Sequence, residues 1–264
     1  MNAELLLMFT LSCDRAYLYG HPERQLTEEE SARYNDALTQ RAKGIPAQYI
    51  TGHQEFWGMD FIVSPAVLIP RPETEHVIER VLELCAGGRG ALGGSSTKPR
   101  MVDVGTGSGC IALALAMELP QVEIHATDIS PEALEIAHVN ATLLNLQQRV
   151  AFHHADLLAE IGGPFDVVVS NPPYVGLAEE DQVQLEVRKF EPRTAVFAGE
   201  SGLEVIERLV PQAHAVLKPG GWLVMEMSGT IAESAQKLLT GWANVQVAPD
   251  LQGIPRVLSA QKPS

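Results

Sequence analysis

The sequence predicts an α/β protein in which a mostly parallel sheet of seven strands carries helices on both faces. Three observations support this fold class. Downstream of Arg100, short β-branched runs alternate with stretches of helical length, which is the pattern of strand–helix–strand units. Residues 1–48 contain no strand signal and have helical character. Between these regions, aromatic and β-branched residues flank Gly58, which favours a hairpin.

The amino-terminal segment predicts a small helical domain. Thr27 is followed by three glutamates, which is typical of a capped helix start, and we expect this helix to end near Lys43, before Gly44 and Pro46. An earlier helix is predicted over residues 4–13. The domain boundaries that we predict are 1–52 for the helical domain, 53–70 for a β-hairpin linker and 71–264 for the α/β domain.

The remaining elements follow from the same patterns. A helix is expected from Pro72 or Thr74 to about Cys85, and the glycine-rich segment 87–96 is expected to be a flexible loop. Strands are predicted near residues 101–104, 122–127, 149–153, 165–170, 221–227, 243–248 and 254–260. Helices are predicted near residues 109–118, 131–144, 202–217 and 229–240. Ligands of such sheets bind outside the carboxyl ends of the strands, where the strand order reverses.

Composition and charge narrow the functional classes. The chain has 264 residues, with 19 basic against 33 acidic side chains and a net charge of -14, which disfavours a polyanionic partner such as DNA. The apolar run from Leu5 to Phe9 is too short to cross a bilayer and lacks the flanks of a secretory leader, so we expect a cytoplasmic protein without a membrane segment. The three cysteines form no C-x-x-C pair and the histidines show no ligand spacing, so no metal site is expected.

A glycine-rich loop at the end of the first parallel strand predicts a cofactor site. The segment Asp103-Val104-Gly105-Thr106-Gly107-Ser108-Gly109 lets backbone N–H groups approach a ligand at a helix N-terminus. Its spacing is not the dinucleotide pattern, and it lacks the Lys-Ser/Thr pair of a phosphate-binding loop. The Asp103 carboxylate would repel a pyrophosphate but suits the ammonium of an amino-acid moiety. We therefore predict S-adenosylmethionine as the cofactor; the alternative is that the glycines only form a tight turn.

Two acidic residues at the ends of the next strands extend this prediction. Asp128 follows the second strand, where a carboxylate can accept both ribose hydroxyls. The alternative is helix capping, although Ser130 already supplies that signal. Asp156 follows the third strand and could accept from an adenine amino group while Leu157 covers the ring. The alternative for Asp156 is an exposed acid in a loop.

A rigid loop after the fourth strand predicts the substrate site. The run 165–169 has the character of a buried strand and leads into Asn171-Pro172-Pro173-Tyr174. The prolines fix φ and remove backbone donors, so the loop offers free carbonyl acceptors. We hypothesise that the Asn171 side-chain oxygen and the Pro172 carbonyl accept both protons of a planar NH2 group, with the Tyr174 ring against its face. The alternative is an ordinary Asn-Pro turn.

This arrangement suits methyl transfer to a carboxamide nitrogen. An amide nitrogen is a poor nucleophile because its lone pair is delocalised, and accepting carbonyls offset the positive charge that develops on it. No strong base is required, because an N-alkylated amide cation loses its proton readily. The lack of an obvious catalytic His or Lys near Asn171 is therefore compatible with the prediction.

Together these motifs resemble known methyltransferases. The loops 103–109 and 171–174 are similar to those of amino methyltransferases that act on DNA adenine, ribosomal RNA guanine or protein glutamine, so the pair indicates the reaction but not the substrate. Further blocks closely resemble the HemK-type peptide chain release factor glutamine methyltransferases (PrmC family). These blocks are residues 41–52, 55–58, 67–75 and 190–195.

The resemblance implies fold, activity and site. Family members have a small helical domain, a β-hairpin and a seven-stranded Rossmann-like class I methyltransferase domain. They methylate N5 of the glutamine in the Gly-Gly-Gln motif of bacterial class 1 release factors. By resemblance, the loop 105–109 and Asp128 bind the cofactor, the loop 171–174 binds the glutamine, and Arg71 and Glu73 lie in a stretch that lines the mouth. The helical domain would dock the release factor, and a monomer without direct DNA contact is expected.

The sequence departs from the family pattern in two places. The helical domain is short, because relatives usually have a further helix before the one predicted over residues 4–13. Leu157 fills a position that is often aromatic, which would weaken stacking on adenine.

Two other functions stay open from the sequence. A nucleic-acid amino methyltransferase would require a basic face or an RNA-binding appendage, and Arg188, Lys189 and Arg193 are too few for a phosphate track. A non-catalytic scaffold would be expected to lose the asparagine or the glycines, and both are present.

Overall fold

The computed structural model describes residues 2–86 and 98–264; the loop predicted at 87–96 lies outside the described residues. The helices, α1 to α11 in chain order, are Asn2–Leu11, Arg15–Gly20, Glu28–Ala42, Ala47–Thr51, Glu75–Ala86, Cys110–Glu118, Pro131–Leu143, Leu185–Phe190, Arg193–Val196, Glu204–Val216 and Ala232–Lys237. The strands, β1 to β11, are His53–Phe56, Met59–Ile62, Arg100–Val104, Glu123–Asp128, Val150–His154, Phe165–Ser170, Val175–Gly176, Phe197–Gly199, Leu217–Glu226, Ala243–Pro249 and Pro255–Gln261. Short 3-10 helices are Pro72–Thr74, Leu177–Gln182 and Gly229–Ile231.

The amino-terminal helices α1, α3 and α4 pack around a small core of their own. Leu6, Ala37 and Ala47 are buried in it. The helix start predicted at Thr27 is confirmed: the Thr27 hydroxyl accepts from the Glu30 backbone, and the Glu30 carboxylate accepts from the Thr27 backbone. This reciprocal pair satisfies two of the N–H groups that a helix start leaves unpaired.

The hairpin β1–β2 connects these helices to the large sheet. Trp57 and Gly58 have φ values of 53° and 68°, as a two-residue hairpin turn requires. Phe56 and Phe61 are buried in the core of the sheet. The side chain of Asn140 on α7 accepts from the Ile62 N–H at 2.7 Å and donates to the Ile62 carbonyl at 3.0 Å. The hairpin is therefore fixed to the large domain by apolar burial and by one buried amide.

A seven-stranded sheet forms the centre of the large domain, in the order β10-β11-β9-β6-β3-β4-β5. Strands β3, β4, β5, β6 and β9 run parallel, while β11 is antiparallel to β9 and to β10. The order reverses around β3, which lies between β4 and β6. The predicted fold class is confirmed, and the carboxyl ends of β3, β4 and β6 meet where ligands of such sheets bind.

Helices cover both faces of the sheet. Helices α5, α6 and α7 pack with the hairpin on one face, and α10 and α11 pack on the other. Residues 110–116 of α6 are buried on every side, which explains why this helix is apolar all round rather than amphipathic. Within the described ranges, no helix is long and apolar enough to cross a membrane.

The predicted elements depart most clearly from the structure in three regions. Strand β9 begins at Leu217 rather than 221, because the Pro-Gly-Gly stretch continues the strand through a register shift instead of forming a turn. The helix predicted over 229–240 is a 3-10 turn followed by the short α11. No element was expected between residues 175 and 199, where β7 and β8 pair across the loop. These small elements depend on tertiary contacts that local patterns do not encode.

Candidate active site

Two adjoining cavities open at the carboxyl ends of the parallel strands. The first has a volume of 340 Å³ and is bounded by the loop after β3, the start of α7 and the segment after β5. The second has a volume of 430 Å³ and is bounded by the loop after β6, by α8 and by the stretch 68–71. Both walls include Leu68, Arg71, Asn171, Pro173 and Ala195. The two cavities are therefore neighbours on either side of this shared wall.

The predicted cofactor residues fall into two groups. Those that line the first cavity are Gly105, Thr106, Gly107, Ser108, Asp128, Asp156, Leu157 and Asn171. Asp103 and Gly109 lie outside its wall. Gly109 instead begins α6 with a φ of 84°, packed against Leu113 and Ala137.

The glycine loop between β3 and α6 presents its backbone to the first cavity. The N–H groups of Gly105 and Thr106 both donate to the Thr127 carbonyl on β4 at 2.9 Å, which ties the loop to the next strand. Gly105 and Gly107 have φ values of 72° and 55°, in the region that favours glycine. A Cβ added to either would meet nothing within 4 Å. A ligand can therefore approach the loop backbone closely.

Asp103 lies buried behind this loop. Its Oδ2 accepts from Thr106 Oγ1 at 2.6 Å and from Ala112 N at 3.2 Å. Its Oδ1 is buried without a hydrogen-bond partner among the residues that the structure describes. Burial raises the pKa of Asp103 to about 7, because desolvation disfavours the charged form. A cationic group bound next to the loop would supply the missing interaction.

Asp128 joins the glycine loop to the start of α7. Its Oδ2 accepts from Gly107 N at 2.8 Å, and its Oδ1 accepts from Ser130 N at 2.9 Å. Ser130 itself caps α7 by accepting from Ala133 N at 3.1 Å. Burial raises the pKa of Asp128, while the backbone N–H groups oppose that shift. Each carboxylate oxygen keeps acceptor capacity for a hydroxyl donor in the cavity.

Asp156 and Leu157 both lie in the wall after β5. Asp156 forms an ion pair with Arg208 of α10, with 2.5 Å between Oδ2 and the guanidinium. Leu157, with a φ of 55°, stays in the wall. Ile129 also lines the cavity and is 56% exposed, so it offers apolar surface next to Asp128. Sequence patterns did not single out Arg208 or Ile129. Ile129 could have been found because it is an apolar residue directly after Asp128.

The loop after β6 lies on the shared wall. Asn171 Nδ2 donates to Thr74 Oγ1 at 3.1 Å, so the amide oxygen of Asn171 points away from Thr74. Pro172 and Tyr174 line the second cavity, and Pro173 lines both. Each of the four residues of the predicted substrate loop thus lines at least one of the two cavities.

A buried carboxylate supports this loop from behind, and sequence reasoning missed it. Glu226, at the end of β9, is 1% exposed. Its Oε1 accepts from Tyr174 OH at 3.0 Å, and its Oε2 accepts from Thr74 Oγ1 at 2.6 Å. Burial raises the pKa of both Glu226 and Tyr174. The available signal was an acid at the carboxyl end of an otherwise apolar strand.

Arg71 closes the shared wall near the surface. Its guanidinium pairs with the buried Glu191, whose other oxygen accepts from Ile69 N at 3.2 Å. This pair joins the stretch before the first 3-10 helix to the segment after α8. Glu73 lines neither cavity. Of the two predicted mouth residues, only Arg71 therefore reaches the cavities.

Comparison with known proteins identifies the family. Residues 1–52 match the family model described as the PrmC N-terminal domain, and residues 91–189 match the methyltransferase small domain. A release factor glutamine methyltransferase from Koribacter versatilis is 55% identical over 100% of this chain and 91% of its own length. The chain belongs to the release factor glutamine methyltransferase family. A second family member, from Bradyrhizobium diazoefficiens, is 42% identical over 99% of this chain and 88% of its own length.

Solved structures share the fold at low identity. The catalytic domain of hMettl16, in complex with an RNA hairpin from MAT2A, aligns with a TM-score of 0.61 and 19% identity over 95% of this chain and 92% of that one. The 16S rRNA N2 G1207 methyltransferase RsmC from T. thermophilus aligns with a TM-score of 0.53 and 18% identity over 80% and 49%. At this identity the likeness shows the methyltransferase fold alone.

The residues of the first cavity fit the cofactor of this family, S-adenosylmethionine. The open backbone of the glycine loop and the acceptor pair of Asp128 lie in the cavity wall, and the buried Asp103 carboxylate lies behind the loop. This arrangement matches a ligand with an ammonium at one end and a ribose in the middle. The chain is a methyltransferase that uses S-adenosylmethionine, as predicted from the glycine loop.

Proposed function

We propose that this chain transfers a methyl group from S-adenosylmethionine to the side-chain amide nitrogen (N5) of the glutamine in the Gly-Gly-Gln motif of class 1 peptide chain release factors. The observation that carries the proposal is the position of Asn171 on the wall common to both cavities. Its amide nitrogen is held by Thr74, which leaves the oxygen to accept a proton from a substrate NH2. The name of the family member that is 55% identical to this chain supports the choice of glutamine.

The first cavity holds the donor in this proposal. When bound, S-adenosylmethionine supplies an electrophilic methyl group. Asp103 would balance the ammonium from behind the loop, the backbone 105–108 would accommodate the methionyl end, and Asp128 would accept the ribose hydroxyls. Leu157 and Ile129 provide apolar surface for the ring. The Asp156–Arg208 pair forms the outer edge of the site.

The second cavity receives the glutamine side chain. The Asn171 oxygen and the Pro172 carbonyl accept the two amide protons, which fixes the plane of the carboxamide, and Tyr174 packs on that plane. With the donor bound, the nitrogen–carbon bond would form as the carbon–sulfur bond breaks with its electron pair left on sulfur, and positive charge would develop on the nitrogen. The two acceptors stabilise this charge without reorganising. The N-methylated amide then loses one proton to water.

The other parts of the chain have supporting roles in the proposal. Residues 1–52 dock the release factor, residues 53–70 form the linker, and residues 71–264 carry the chemistry. The protein acts as a monomer in the cytoplasm, without direct contact to DNA. The net charge of -14 supports a protein substrate over a nucleic acid.

The test is transfer of labelled methyl from S-adenosylmethionine to a purified class 1 release factor. The matched control is the same factor with Gln→Ala in its Gly-Gly-Gln motif, and tRNA and DNA serve as alternative acceptors. We expect label on the intact factor only. Label on nucleic acid but not on the factor would overturn the proposal in favour of a nucleic-acid amino methyltransferase.

A further inference from the structure

We propose that Thr74 and Glu226 are positioning residues that determine which end of the Asn171 carboxamide faces the substrate, and that they do so only while Glu226 Oε2 carries no proton. This inference rests on the proposed function, because it concerns the acceptor that binds the glutamine NH2. Thr74 is part of the wall of the first cavity and Glu226 is part of the wall of the second. Both act through Asn171.

The contacts form one continuous chain behind the substrate loop. Asn171 Nδ2 donates to Thr74 Oγ1, Thr74 Oγ1 donates to Glu226 Oε2, and Tyr174 OH donates to Glu226 Oε1. The distances are 3.1, 2.6 and 3.0 Å. Thr74 and Glu226 are 2% and 1% exposed. Because Thr74 and Glu226 are shielded from water, their side chains have few other hydrogen-bond partners.

Counting protons along this chain fixes its direction. An ionised carboxylate only accepts hydrogen bonds, so Thr74 must donate its single hydroxyl proton to Glu226. The Thr74 oxygen can then only accept from Asn171, and its partner must be the amide nitrogen rather than the amide oxygen. The Asn171 oxygen is consequently turned to the opposite side, where a substrate NH2 needs an acceptor.

Protonation of Glu226 on Oε2 would reverse the direction of the hydrogen bonds that join Glu226, Thr74 and Asn171. The carboxyl would donate to Thr74, the Thr74 proton would turn towards Asn171, and the Asn171 amide would rotate to accept it. Its NH2 would then face the substrate NH2, so two donors would oppose each other. The substrate nitrogen, which must become positive, would then face a donor that repels it instead of an acceptor that stabilises it.

The surroundings of Glu226 bring this protonation within reach. Burial raises its pKa, and the nearby Glu73 acts in the same direction. The hydroxyls of Thr74 and Tyr174 and the guanidinium of Arg256 on β11 lower it. Cys110 of α6, whose pKa burial raises to about 12, stays a neutral thiol. The net shift is upwards, so the chain direction is lost at a higher pH than for an ordinary glutamate.

The first experiment compares Thr74→Val with Thr74→Ser in the full chain, with purified release factor and labelled S-adenosylmethionine. Valine has the shape of threonine but neither donates nor accepts, whereas serine keeps the hydroxyl. We expect Thr74→Val to lower kcat by at most about 100-fold, which is the effect of losing the contact of Asn171 itself to the reacting group. Thr74→Ser should stay close to wild type, and KM for the factor and calorimetric affinity for the cofactor should be unchanged in both. Equal kcat for the two variants would overturn the inference.

The second experiment measures kcat against pH at saturating S-adenosylmethionine, so that titration of groups acting on cofactor binding does not enter. Wild type and Thr74→Ser should lose activity as the pH is lowered. Glu226→Gln should show no such loss, whatever its absolute rate, because its amide does not titrate. An acid limb with the same midpoint in Glu226→Gln would overturn the inference. Failure of the wild-type chain to label the factor at any pH would instead overturn the proposed function.

Discussion

Replacing Asn140 by Ala removes a buried amide that links three parts of the large domain. The Asn140 side chain accepts from the Ile62 N–H and donates to the carbonyls of Ile62 and Ser108, at 2.7, 3.0 and 2.9 Å. It is fully buried on α7. One contact holds the glycine loop, and the other two hold the last residue of the hairpin. Alanine leaves the three backbone groups without their partners.

The cost follows from how far water can replace the lost contacts. A buried polar group left unsatisfied costs about 1–3 kcal/mol. Ser108 is buried, but Ile62 is only half-buried, so water can reach part of the vacated space beside Ile62. We therefore expect the free energy of unfolding to fall by about 2–4 kcal/mol. For a chain of this size, that corresponds to a drop in Tm of roughly 5–15 °C.

The assay is thermal unfolding with and without S-adenosylmethionine, and the matched control is Thr142→Ala on the same helix. The Thr142 hydroxyl is exposed and, among the residues that the structure describes, bonds only to the His138 carbonyl one turn earlier, so its loss should cost within about 0.5 kcal/mol. Asn140→Ala should also weaken cofactor binding, because the Ser108 carbonyl is no longer fixed. A Tm drop no larger than that of Thr142→Ala would refute the role given to Asn140.

Three further predictions concern the site directly. Asn171→Ala is expected to keep cofactor affinity and abolish methyl transfer, because the side-chain acceptor is gone; turnover at the wild-type rate would contradict its assignment. Asp128→Ala is expected to weaken S-adenosylmethionine binding in calorimetry by about 1.5–3 kcal/mol, the usual value of a hydrogen bond to a charged group; an unaltered Kd would leave Asp128 with a purely structural role at the start of α7. Burial raises the pKa of Asp103 to about 7, above its unfolded value of about 3.9. The folded protein therefore binds this proton more tightly than the unfolded protein, so the cofactor-free protein should gain stability as pH falls from about 7 towards 4. Over the same range the affinity for the cofactor should fall, because only the ionised carboxylate balances the ammonium. Asp103→Asn should flatten both dependences, and an unchanged affinity profile in that variant would exclude the ammonium role.

Local chemistry explains why much of this protein could be predicted without coordinates. The alternation of β-branched runs and helical stretches gave the fold class, because each strand and helix must bury its own apolar face. The loops 103–109 and 171–174 were recognisable because glycine and proline impose backbone conformations wherever they occur. Both loops follow buried strands, so their meeting at one edge of the sheet followed from the parallel topology.

The supporting residues could not be found in this way, because their partners are distant in the chain. Asn171 lies 97 residues from Thr74, and Thr74 lies 152 residues from Glu226. Arg208 and Asp156 are 52 residues apart, and Asn140 and Ile62 are 78 apart. No periodicity or spacing connects such pairs. The sequence by itself determined the elements, the cofactor loop and the substrate loop, through the backbone preferences of single residues. Only the tertiary structure decided how those loops are oriented and held, because a buried polar group finds its partner through packing rather than through its neighbours in sequence.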